Sequence, residues 1–237
     1  MYFVDTTGSA CPNGVGLPSS SAVLPSAPFT AYDPTLGTPT NMCVLDGFPT
    51  LSNKNGTPVN YPFALWFANS TTLYVADEGD GYAGGTDLYT HAAAQTNAGL
   101  EKWVFNSATQ QWTLAYTLQN GLDLGVPYQV RHYPTGSNPA LKTPLPWAPA
   151  TDGLRNFVGQ VDDWGNVTIW AITSTVSGSG DQGADPNRLV VIVDRLDNTD
   201  PQYAAGEEFF TLRTAGFGEV LRGVSFTPGT EERRGNW

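Results

Sequence analysis

His91 and His132 are the only imidazoles in the chain, and both fall in long segments without strand or helix periodicity. Asp87 stands four positions before His91, so either histidine, with a nearby carboxylate, fits a general base. Two ordinary loop histidines fit the same letters. Arg155 and Arg222 occupy matching points of two related runs, LRN and LRG. Paired guanidiniums can hold a carboxylate or phosphate through bidentate hydrogen bonds. Alternatively, each arginine staples a neighbouring strand through an acidic residue such as Asp77 or Asp194. Asp77, Glu78 and Asp80 offer hard oxygen ligands suited to calcium. They lack the alternating acidic pattern of a full calcium loop, and a strand end followed by a solvated glycine turn reads the same way. The run SGSGDQGAD at 177–185 is equally two-sided. Trp147, in PLPWAP, is suited to stacking on a sugar ring, whereas Trp66, Trp103, Trp112 and Trp170 sit inside strand-like runs and read as packing. The chain has no G-x-S-x-G elbow and no G-x-x-x-x-G-K-[ST] phosphate loop. Cys11 and Cys43 have no cysteine–histidine context for nucleophilic work.

The elements that must position these residues form a pattern written twice. Residues 61–121 contain PFALWFANSTTLYVADEG, GLEKWVF and QWTLAYTL; residues 153–216 contain LRNFVGQVDDWGNVTIWAITST, NRLVVIVDRL and EEFFTLRT. Each is four β-rich runs in the same order. A third copy of the first run, VLRGVSFTP, appears at 220–228, and MYFVDTTG at the start resembles the second run. Four-strand repeats of this length predict an all-β fold, a β-propeller of four-stranded antiparallel blades. The blades fall at 1–50 plus 218–229, at 57–121 and at 152–217 of one domain spanning 1–237, with 1–4 and 220–226 expected to share a sheet. About three blades do not close a ring, since propellers use roughly four to eight. The expectation is therefore self-association of a homo-oligomer, or a missing half. The insertions at 79–97 and 174–187 interrupt the two repeats at equivalent points and predict a binding surface on one face.

Composition narrows the setting. The net charge is −11 and charged residues make up 14%, against roughly 25% in ordinary domains. So acidic a surface argues against nucleic acid and anionic membranes as partners. No apolar run approaches the length of a membrane-spanning helix, and no signal peptide precedes MYFVD. Three glycosylation sequons, at Asn55, Asn69 and Asn166, together with few lysines and one candidate disulfide, Cys11–Cys43, predict a secreted, extracellular glycoprotein. Two buried free thiols are the other reading of the cysteines.

The set ADEG (76–79), GLEKW (99–103), DGLRNF (152–157), NRLV (187–190) and VLRGVSFTPG (220–229) resembles a family of largely uncharacterised secreted proteins, mostly bacterial, that form β-propellers of about six or seven blades. The resemblance runs from about residue 61 to 229. It implies fold and secretion and carries over no catalytic residue; the chain lacks that family's N-terminal blades. The expected function is a β-propeller scaffold presenting ligand- or glycan-binding loops on one face, with a carbohydrate or small molecule as ligand and no cofactor beyond calcium. The competing expectation is a metal-assisted hydrolase or lactonase-type propeller with a carboxylate–histidine site at the channel mouth.

Overall fold

Apolar residues recur at every second position in QWTLAYTL, the period of a pleated strand with one buried face, while LYVA and LVVIV are continuous short apolar runs of strand length. A computed structural model describes residues 2–4, 32–33, 38–39, 42–44, 47–48, 61–80, 97–109, 111–133, 148–177 and 183–228. It is all-β. The first short strands are β1 (Tyr2–Val4), β2 (Tyr32–Asp33), β3 (Thr38–Pro39) and β4 (Met42–Val44). They form two small antiparallel ladders, β1 with β4 and β2 with β3.

Two four-stranded antiparallel sheets follow, and each is a simple meander. The first consists of β5 (Pro62–Asn69), β6 (Thr72–Asp77), β7 (Leu100–Asn106) and β8 (Gln111–Leu118). The second consists of β9 (Ala150–Val161), β10 (Asn166–Val176), β11 (Arg188–Arg195) and β12 (Phe210–Thr214). These are the two full repeats, with the strand order that the sequence predicts. A single helical turn, α1 (Pro201–Ala204), lies between β11 and β12 and is capped by Asp200, whose carboxylate accepts from the Gln202 amide.

The sheets pack face to face with like strands together: β5 lies along β9, and β8 meets α1 beyond β11. Alternation supplies the shared core. Tyr74, Ala76, Leu100 and Leu118 of the first sheet meet Val167, Ile169, Ala171, Val190 and Ile192 of the second. Gly159 of β9 is required here, because a Cβ at that position would run into the ring of Trp66 on β5. The opposite face of the first sheet gathers Leu73, Val75, Trp103 and Trp112 under Phe48, which stacks on Trp103 at 4.0 Å between ring centroids. Both faces of β6 are thus covered, and all six of its residues are buried.

One expectation is corrected. β1 pairs with β4, Phe3 opposite Cys43, and 219–227 contains no strand. The C-terminal run docks on the second sheet through side chains instead. Asn187 donates to the Leu221 carbonyl at 2.9 Å and accepts from the Leu221 amide at 2.8 Å, and Asn156 donates to the Arg222 carbonyl at 2.7 Å. Backbone groups satisfied this way do not need a ladder.

Candidate functional site

Arg155 and Arg222 come together. Arg155 leaves β9 at a half-buried position, with its guanidinium 4.3 Å from the Phe63 ring centroid and its Nε 3.2 Å from the Glu78 carboxylate. The staple partner is therefore Glu78; Asp77 and Asp194 are engaged elsewhere. Arg222 is held from its backbone by Asn156, one residue along β9 from Arg155. Gly183 lies between the two cations. A Cβ there would collide with Nη1 of Arg155 and sit 3.5 Å from Nη1 of Arg222. The result is a small cleft of about 120 Å³, walled by Phe63, Asn156 and Asn187 beside the two guanidiniums. Glu78 engages Arg155 through Nε, and the side-chain nitrogens of Asn156 and Asn187 are spent on the Arg222 and Leu221 carbonyls, so the cleft offers the positive charge of two guanidiniums. That combination suits a carboxylate or phosphate oxygen.

The acidic residues beside it are structural in their contacts. Asp77 is buried, its carboxylate accepts from the Gly79 amide at 2.9 Å, and burial pushes its carboxyl up to about 6 against the pull of backbone donors. Among the described residues no three His, Cys, Asp or Glu side chains gather as a metal-ligand group. His132 is exposed, in a turn at φ 66. His91, Asp87, Trp147, Asn55, Cys11 and the side chain of Cys43 lie outside the described residues. Of the other two sequons, Asn69 is exposed in the β5–β6 turn, where its Oδ1 accepts from Thr71. Asn166 has its amide nitrogen on Asp162 at 2.7 Å.

A second polar cluster, between the sheets, was not foreseen from the sequence. Lys102 and Asp194 are both fully buried, 3.1 Å apart. Tyr74 and Tyr116 donate to the same carboxylate, Tyr116 at 2.7 Å. Lys102 also donates to the Tyr116 hydroxyl at 2.9 Å and the Arg195 carbonyl at 2.5 Å. Burial lowers the Lys102 ammonium and raises both phenols. Glu207, beside Asp194, is pushed up to about 8 by burial first and by the Asp194 charge second. A signal was present: Leu100, Lys102 and Val104 alternate in β7, so a lysine replaces an apolar residue on the inward face. Such a lysine needs a buried anion.

The chain matches no family model, no curated protein and no solved structure. The cleft and the sheets carry the functional reading by themselves.

Proposed function

We propose that this protein is an extracellular binding scaffold of β-propeller type, and that it takes an anionic small molecule, carrying carboxylate or phosphate, between Arg155 and Arg222. The observation that carries this reading is the convergence of two guanidiniums on Gly183 at the edge of the second sheet. Meander sheets that pack like strand on like strand are the geometry expected of successive blades. Val193, Phe210 and Leu212, on the outer face of the second sheet, are 50%, 63% and 55% exposed. An apolar sheet face of that kind is suited to a further sheet. The occupant proposed is a second copy of this chain, because the first sheet already has a cover on each of its faces, the second sheet on one and Phe48 on the other.

The ligand reading is tested by isothermal titration with inorganic phosphate and with citrate at low ionic strength. Saturable binding is expected, weakening as salt is added. Arg222→Ala should weaken it by at least about tenfold, since a hydrogen bond to a charged group is worth roughly 1.5–3 kcal/mol. Failure of both anions to bind, or equal binding by the variant, overturns it.

A further inference from the structure

The turn joining β9 to β10 presents Trp164 to solvent, 77% exposed, at the rim of a second cleft. An indole so exposed loses its apolar contact area to water unless something covers it. The backbone of the turn that carries it is braced. The Asp162 carboxylate accepts from the Trp164 amide at 2.9 Å, the Asn166 amide at 2.8 Å and the Asn166 side chain at 2.7 Å. The Leu196 amide then ties the Gly165 carbonyl to the end of β11 at 2.8 Å. The Trp164 backbone is thus held in place before binding, which spares the entropy of ordering the turn.

The cleft beside it has a volume of about 420 Å³, within the span of roughly 300–1,000 Å³ typical of small-ligand sites. Its polar wall combines Asn69 and Thr71 of the β5–β6 turn with Arg195 and Asp197 of the β11 end. Arg195 and Asp197 stand 3.6 Å apart and offset each other's charge. Thr71 occupies the Asn69 Oδ1 through its amide at 2.8 Å and its hydroxyl at 3.2 Å, which presents the Asn69 nitrogen as a donor. A flat aromatic face next to locally charge-balanced planar donors and acceptors matches one ligand chemistry. The C–H face of a pyranose sits on the negative face of the indole, while adjacent hydroxyls meet amide, carboxylate and guanidinium groups.

We propose that Trp164, with Asn69, Thr71, Arg195 and Asp197, forms a site for a neutral saccharide, separate from the Arg155–Arg222 cleft. The sugar can be free in solution or belong to a glycan carried on the Asn69 sequon; in the second case the Asn69 nitrogen is the attachment point and Trp164, Thr71, Arg195 and Asp197 make the contacts. The test is intrinsic tryptophan fluorescence of protein made in a host that does not glycosylate, titrated with chitotriose and with cellotriose. A saturable change is expected with at least one of them. Trp164→Ala should abolish the change, and Asp197→Ala should weaken binding at least about tenfold as followed through Trp164. Tyr203→Ala, which removes an equally exposed ring elsewhere, should leave the titration unaltered. Circular dichroism melts of the variants check that each is folded. In protein made by a glycosylating host, loss of the free-sugar response would assign the cleft to the chain's own glycan, and retention would assign it to an external one. No saturable response from the unglycosylated protein to either sugar, or an undiminished change in Trp164→Ala, overturns the proposal.

Discussion

At the scale of single residues, the inter-sheet pair Lys102–Asp194 dominates. Two charges without solvent exposure stabilise the fold only while both are present. Asp194→Asn leaves the ammonium buried without its counter-charge, and it should cost about 3–5 kcal/mol in urea unfolding at neutral pH. Replacing both partners with apolar residues of similar volume should recover most of that loss. Three carboxyls with raised values, Glu207 beside the pair and Asp77 and Glu101 elsewhere in the first sheet, set a pH dependence whose sign is opposite to that of ordinary surface carboxylates. Burial lifts Asp77 from its ordinary 3.8 to about 6 and Glu101 from 4.5 to about 7, and Glu207 rises from 4.5 to about 8. Each holds its proton more tightly in the folded chain than in the unfolded one. Their contribution is therefore complete below the unfolded values and disappears as pH climbs through the folded ones. The thermal midpoint at constant ionic strength should fall progressively between about pH 5 and pH 8. Glu207→Gln should flatten the upper part of that fall, and a midpoint that rises over this range would contradict it.

At the scale of elements, what was legible in the sequence was the strand order, because alternation leaves a period-two trace wherever one face is buried. QWTLAYTL announces β8 in that way, whereas TLYVAD, buried on both faces as β6, reads as a short continuous apolar run between turns. The run VLRGVSF carries similar letters, yet 219–227 forms no ladder. Side-chain amides of Asn156 and Asn187 take the backbone groups of Leu221 and Arg222, and such long-range partners leave no periodic trace. The pairing of β1 with β4 was hidden for a related reason, since a three-residue strand carries too little pattern to name its neighbour. The convergence of Arg155 with Arg222 was legible as a matched position, but Glu78 and Gly183 became visible only in three dimensions. Close approach of β5 to β9 depends on the missing side chain at Gly159. Gly159→Ala should drive a methyl into the Trp66 ring and cost about 1–3 kcal/mol, seen as a lower thermal midpoint. A neutral result would mean that β5 and β9 slide apart without penalty.

At the scale of the whole molecule, the proposed self-association rests on the exposed apolar residues Val193, Phe210 and Leu212 of the second sheet. Sedimentation velocity at micromolar concentration should give a species heavier than the 25.4 kDa chain. Val193→Asp combined with Leu212→Asp should return it to a monomer with its fold intact, because both positions are at least half exposed. A wild-type monomer under those conditions would remove the proposed second copy. The buried ion pair has a consequence of its own for how the polypeptide can be divided. Lys102 belongs to one half of the chain and Asp194 to the other, so a scission within 134–147 would separate the two charges onto different fragments. Each fragment would then expose an apolar surface bearing one unneutralised ion, which discourages it from collapsing alone or binding a like fragment. Reassembly of the cut protein would be selective for the correct counterpart, a property suited to a two-piece complementation reporter.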